Sequence, residues 1–343
     1  MTSSTVTLDV ENLWRGAWSG PCRLRVRGRR VELVESRTQS DGRGDLTVPG
    51  CVFAGMRDAH VHLDLVEARD LYAGGLSVVH DLGSALPTLA PFAGGRVRAG
   101  LPEVRFAGQF LTAAGGYPSD RTWARAGSVR AVTGPADAAA AVDEQARAGA
   151  DFVKVMLNAD AGPTLDEATL GALVRAAHEG GRRVVAHAEG TGQVERAFAA
   201  GVDRLAHAPW TERLSADLLG AMGPAVQWIS TLDIHGRGGD GAAFEVAVDN
   251  VRRFRAAGGT VIYGTDQGNG PQRVGVNDRE LLALLAAGLD RAAVLDAIAL
   301  AWPARCRGFA WAPGPPPSGD QDWARWVASV RNVAVEEWEE QFG

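Results

Sequence analysis

The chain has little of what would make it a disulfide-stapled, membrane-spanning or nucleic-acid-binding protein. Only three of its 343 residues are cysteine: Cys22, Cys51 and Cys306. Their odd number and scatter exclude a disulfide framework and fit a reducing cytoplasm. No apolar run approaches the roughly 20 residues that cross a bilayer, so no membrane association is expected. The opening Met-Thr-Ser-Ser-Thr lacks a basic segment followed by an apolar core, so no secretory signal is read. Charge of one sign is also missing as a block. The formal net charge is −6, and no basic stripe suggests nucleic acid. A globular chain is left, long enough for one large α/β barrel with a small appended layer. Its expected partner is a small-molecule substrate, with a homo-oligomer left open.

What is present has a rhythm. Residues 1–53 read as a small β layer, with short strands expected at 6–10, 22–26, 30–34 and 45–48. Their separators, Trp-Ser-Gly-Pro, Arg-Gly-Arg and Ser-Asp-Gly-Arg-Gly, are turn chemistry. From residue 54 an apolar strand and then a helix of period three and four recur. Strands are expected at 51–64, 76–82, 103–111, 151–157, 183–188, 202–208, 226–232 and 260–265. Helices are expected between them, the clearest at 136–148, 166–179, 243–257 and 278–289, with a weak one at 88–99. Repeated units of this length imply parallel strands with crossover helices. Eight of them imply a closed (β/α)8 barrel over 54–308, an α/β fold. A Pro/Gly-rich break at 313–319 opens the C-terminal segment, 309–343. That segment is expected to return one or two strands from 322–335 to a β-sandwich-like layer, and to end in a polar tail.

The stretch Ala54-Gly-Met-Arg-Asp-Ala-His-Val-His-Leu63 places His60 and His62 two apart at the end of an apolar run. Residues two apart on a strand share a side. Both imidazoles can therefore reach one point, as two ligands of one metal ion must; a buried strand that happens to hold two histidines is the competing reading. Later strands carry matching polar residues: Lys154, His187, His207 and, at the end of the eighth, Asp266. Reactive groups of such barrels cluster at the C-terminal ends of the strands. Singly, each of the six reads as a satisfied structural residue; together they read as a site. A bare lysine inside an apolar strand is costly unless paired or modified.

These segments resemble the metal-dependent amidohydrolase superfamily, in its imidazolonepropionase-like and prolidase-like branch. The resemblance spans about 48–308 and rests on Pro49-Gly-Cys-Val-Phe-Ala-Gly-Met-Arg-Asp-Ala-His-Val-His, Gly75-Leu-Ser-Val-Val-His-Asp-Leu-Gly, Gly149-Ala-Asp-Phe-Val-Lys, Val185-Ala-His-Ala-Glu-Gly, Gly201-Val-Asp-Arg-Leu-Ala-His and Gly264-Thr-Asp. It implies two divalent metal ions, expected to be zinc. His60 and His62 would bind the first, His187 and His207 the second, and a carbamylated Lys154 would bridge them. Asp266 would bind the first ion and shuttle a proton. The implied reaction is hydrolysis of a C–N bond (amide, N-acyl, peptide-like or cyclic amide) by a metal-bridging hydroxide. The charges agree with this. Two zinc ions face a carbamate, a carboxylate and a hydroxide, and the net positive centre lowers the pKa of bound water to about 7. The rivals are a one-metal deaminase, a non-hydrolytic decarboxylase or cyclase on the same barrel, and an inert metal-containing binding protein. In related deaminases and imidazolonepropionases the resemblance implies no ligand at the lysine position, so Lys154 favours two metals. The apolar, aspartate-containing strand usual near the end of the family is not evident after Gly308, where prolines and tryptophans stand instead.

Substrate contacts are expected from the loops at the mouth. His80, at the end of the second strand, reads as either support or contact. His235 sits in a glycine-rich loop after the seventh strand and leans to contact. Tyr117 could bind a substrate carbonyl or carboxylate, with Arg121 as its anion partner, or could belong to a rigid turn. Gln267, Asn269 and Trp210 are further candidates for the wall, and His178 reads as structural or solvated.

Overall fold

Along Cys22–Arg27 every second side chain is buried, Cys22, Leu24 and Val26, which is the two-residue period of a strand with one face on a core. This strand belongs to a six-stranded sheet in the order Arg331–Ala334, Gly308–Ala312, Leu46–Phe53, Thr5–Leu13, Cys22–Arg27, Arg30–Val34. Thr5–Leu13 runs parallel to Leu46–Phe53, and the other neighbours are antiparallel. The computed structural model describes residues 5–27, 30–34, 44–236, 241–302, 308–334 and 337–342. Cys306 and the Arg-Gly-Arg and Ser-Asp-Gly-Arg-Gly turns fall wholly or largely outside these residues; Cys22 and Cys51 are free thiols.

The expected sandwich-like layer is one sheet rather than two. The short helix Trp338–Phe342 packs on it, with Trp338 buried and its ring 5.2 Å from that of Phe309. The segment expected to give one or two strands from 322–335 gives the helix Asp320–Val327 and then the strand Arg331–Ala334. Trp323, Ala324, Trp326 and Val327 are buried, a spacing of one, three and four that suits a helix and not a strand.

The middle of the chain alternates strand and helix. Arg57–Val61, Val78–Asp81 and Glu103–Phe106 form one parallel sheet. Phe152–Asn158, Arg183–Glu189, Arg204–Leu205, Gln227–Ile229 and Thr260–Ile262 continue in parallel in a second, with Phe110–Thr112 and Val129–Ala131 at its far edge. Backbone hydrogen bonds tie the sheets at both ends. Asp151 N–H donates to Phe106 O at 2.7 Å, and Ala59 N–H to Tyr263 O at 3.0 Å. One side chain from each of eight of these parallel strands (all but Phe110–Thr112 and Val129–Ala131), or from the residue just past it, meets in a single apolar cluster: Ala59, Leu82, Ala107, Phe152, Val185, Ala206, Ile229 and Ile262. The crossover helices cover the outside, among them Pro135–Arg147, Glu167–Glu179, Gly241–Ala256 and Asp278–Ala286. Asp166, Ser215, Asn277 and Asp290 cap four helix starts with their side chains. No described helix is long and apolar enough to cross a membrane.

The structure departs from expectation where turn chemistry intervenes. The third strand is split into Glu103–Phe106 and Phe110–Thr112 at Gly108, whose φ is +82°. A Cβ at that position would overlap Gln145 Oε1, which accepts the Gln109 N–H at 2.9 Å. The weak helix at 88–99 shrinks to Leu86–Leu89 and a single tight turn at Ala90–Phe92, since Pro91 cannot supply a helical N–H. Gly108→Ala should lower unfolding stability by about 2 kcal/mol through the left-handed backbone and the displaced glutamine. A urea midpoint equal to that of the wild type would contradict the bend.

Candidate metal site

The strand period brings His60 and His62 to one side, and local hydrogen bonds fix how they face. His60 Nδ1 lies 2.9 Å from Ala206 O, and His62 Nδ1 lies 2.8 Å from Gly83 O. A carbonyl can only accept, so each ring carries its proton on Nδ1. In the neutral rings both Nε2 lone pairs then point into the same space, 3.3 Å apart. Asp266 Oδ1 completes the group, 3.0 Å from His62 Nε2 and 3.3 Å from His60 Nε2. That buried oxygen has no hydrogen-bond partner among the described residues. Three electron-pair donors crowded about one point suit a cation and little else.

His207 joins this group: one ligand atom each of His60, His207 and Asp266 lies within 4.8 Å of the others. Its Nδ1 is 2.9 Å from Thr231 Oγ1. Thr231 has φ +43° and Asp266 φ +57°, the only described non-glycine residues with positive φ. Both follow strand ends at this site, where strained backbone aims side chains. Lys154 is 1 % exposed and lines the same cavity, with no ion-pair partner among the described residues. His187 also lines it, but its Nε2 stands 2.8 Å from Glu189 Oε2. Five of the six residues read from the sequence thus present free ligand atoms or an unpaired amine to one space. The sixth, His187, is engaged by a neighbour.

Burial sets much of the electrostatics. It pushes Lys154 down to about 7, and it holds His60 and His207 well below the usual histidine range. His187 is lowered by the same cause. For His62, the Asp266 carboxylate outweighs burial and raises the ring. Burial works to raise Asp266, but the rings of His60 and His62 prevail and hold it well below the usual carboxylate range.

The cavity measures about 400 Å³ and has aromatic walls. Tyr117 stacks on His187 at 5.5 Å, and Trp210 stands edge-on to His187 and His207. His235 lies 4.5 Å from Trp210, and Asn269 donates to Asp266 Oδ2 at 2.7 Å. Arg121 does not line the cavity; it lies over the Tyr117 ring at 5.4 Å and pairs with Asp120. Gln267 is fully buried and donates to Arg273 O instead of facing the mouth. His178 pairs with Asp203 on the outside. His80 needs correction. It lies not at this mouth but in a second cavity at the opposite ends of the strands, because it stands two residues before Leu82 of the apolar layer, on the same side of the strand and below that layer.

Several residues at the site carried no role in the sequence reading. Trp123 packs against His62 and Tyr117 from a loop, with no pattern to reveal it. Glu189 could have been found, since it sits two residues beyond His187 on the same side of a strand. Asn158 donates to its Oε2 at 2.6 Å. Asp58 holds the site together from behind: it accepts from His60 N–H at 2.9 Å, Thr265 N–H at 3.2 Å and Thr265 Oγ1 at 2.5 Å. Asp58→Ala leaves three buried donors without an acceptor and should cost about 2–3 kcal/mol in urea unfolding. An unchanged midpoint would show that Asp58 does not brace the strand ends.

Comparison with family models and with curated proteins finds no match. Comparison with solved structures finds many. A Xaa-Pro dipeptidase with methionine bound in its active site is 18 % identical, with TM-score 0.75, over 94 % of this chain and 97 % of that one. An ochratoxinase from A. niger is 16 % identical, with TM-score 0.75, over 96 % and 94 %. A molinate hydrolase is 15 % identical, with TM-score 0.73, over 97 % and 94 %. The chain has the fold that these structures share, along almost its whole length.

Proposed function

We propose that the chain is a prolidase-like member of the amidohydrolase superfamily, a metal-dependent hydrolase that cleaves the C–N bond of an amide. The observation that carries this reading is the convergence of His60 Nε2, His62 Nε2 and Asp266 Oδ1, with His207 and Lys154 on the same cavity. The shared fold with a Xaa-Pro dipeptidase, an ochratoxinase and a molinate hydrolase supports it. We read the parallel strands as a closed (β/α)8 barrel over 54–308, with the site at their C-terminal ends.

His60, His62 and Asp266 would hold one divalent ion, His207 and His187 a second, with a carbamylated Lys154 between them. Zinc suits imidazole and carboxylate donors. When bound, such ions supply a Lewis acid for the substrate carbonyl and lower the pKa of water to about 7. Asp266 accepts the proton of the attacking water at Oδ1, while Asn269 holds Oδ2, and returns it to the leaving nitrogen. Burial keeps the Tyr117 phenol protonated, so its hydroxyl is a donor for a substrate oxygen. Trp123, Trp210 and His235 wall the cavity and exclude water, which suits an amide with an apolar flank. For His187 to serve as a ligand, Glu189 must release its Nε2. The contact between them favours a second reading, a one-metal enzyme of the deaminase kind. Metal stoichiometry and ammonia release separate the two.

Lys154→Ala should lose metal and amide hydrolysis together. Full activity on dipeptides, N-acyl amino acids and lactams with unchanged metal content would remove the bridging role. Asp266→Asn should lower kcat by roughly 10²–10⁴-fold. A variant within about twofold of wild type would take the proton transfer away from it.

A further inference from the structure

The strands that end in the histidine cavity begin at another. At their N-terminal ends, against the six-stranded sheet, lies a cavity of about 620 Å³. Arg57, Arg105, Arg183 and Arg204 line it from four different strands, and His80 from a fifth. Glu103 is the sole carboxylate among its described lining residues, and it pairs with Arg105 at 3.1 Å. Among the described residues no carboxylate stands within ion-pair distance of Arg57, Arg183 or Arg204. Arg57 donates one Nη2 bond to Ala297 O, and Arg204 one Nε bond to Gln227 Oε1.

Two buried polar atoms here lack any partner among the described residues: Arg57 Nε and His80 Nδ1. His80 is 7 % exposed and Arg204 8 %. Burial pushes Arg204 down to about 10, and the charges of Arg183 and Arg57 push the same way. His80 is lowered by burial and then by Arg57, Arg204 and Arg105. Arg57 and Arg204 are desolvated cations that repel one another, costly unless a counter-charge joins them, while Arg105 and Arg183 are exposed. The guanidinium fork matches the paired oxygens of a phosphate group. A bare phosphate leaves much of this volume empty, and the rings of Phe152 and Phe309 with Leu300 offer an apolar wall.

We propose that this cavity is a second ligand site, distinct from the histidine site, that takes a small organic phosphate, its phosphate group held by Arg57, Arg105, Arg183 and Arg204. Calorimetric titration at fixed ionic strength tests it, with inorganic phosphate in one arm and phenyl phosphate in the other. The expected result is saturable binding of one equivalent per chain, tighter for the ester. Equal affinity for the two would assign the site to free phosphate and keep its chemistry. Arg57→Gln should weaken binding by roughly tenfold, the loss of one charge-assisted contact. Arg105→Gln, at the exposed rim, leaves the fold alone and should weaken it severalfold. Absence of saturable binding in both arms overturns the proposal. So does unchanged affinity in the Arg105→Gln variant, which would place the anion elsewhere, as at the histidine site. The readout is binding and not hydrolysis, so it stands or falls apart from the proposed activity.

Discussion

Two backbone carbonyls decide what this molecule can do. Ala206 O and Gly83 O take the Nδ1 protons of His60 and His62 and so turn two Nε2 lone pairs toward one point. Asp266 Oδ1 is brought to the same point by a left-handed backbone at the end of the last strand. No apolar core gains from such a cluster, and the surrounding sheets are built to sustain it. Asp58 ties the first strand end to the last through Thr265, and Asp81 accepts from Leu63 N–H, Gly83 N–H and Ser84 Oγ where the second strand ends. Carboxylates buried this deeply persist because each lone pair meets a donor.

The same strands give the molecule two unlike ends. Arg57, Arg105, Arg183 and Arg204 stand at or near the starts of four of them, and His60, His62, His187 and His207 at or just past the ends of three, with one apolar layer between. The upper cavity gathers lone pairs and the lower gathers cations. Parallel strands make this separation simple. Every strand points the same way, so residues at like positions along each strand meet at one end. Crowded lone pairs at one end and desolvated guanidinium groups at the other are each costly without a partner.

Much of this was legible in the sequence, for physical reasons. The strand–helix beat and the two-residue spacing of His60 and His62 are local properties, and both were read correctly. Lys154, His187, His207 and Asp266 line one cavity, as expected of polar residues carried on successive parallel strands. What was not legible depended on tertiary geometry. His80 occupies a polar position in an apolar strand like the others, yet it precedes Leu82 of the apolar layer by two residues and so faces the opposite end. The partner of His187, Glu189, was within reach of the same two-residue rule; that its Oε2 meets Nε2 is a matter of rotamers. Trp123 comes from an irregular loop with no periodicity to read. The C-terminal tryptophans looked like an interruption, whereas Trp323 and Trp326 are the buried stripe of a helix.

The account turns on a cation held by imidazole nitrogen and carboxylate oxygen at the end of the first and last strands. An X-ray absorption spectrum at the edge of the metal that copurifies with the chain tests this most directly. The account predicts a first shell of nitrogen and oxygen at about 2.0–2.1 Å with the outer-shell scattering of at least two imidazoles. A protein that takes up no divalent ion, or one whose ion shows only water-like oxygen and no imidazole, would contradict it.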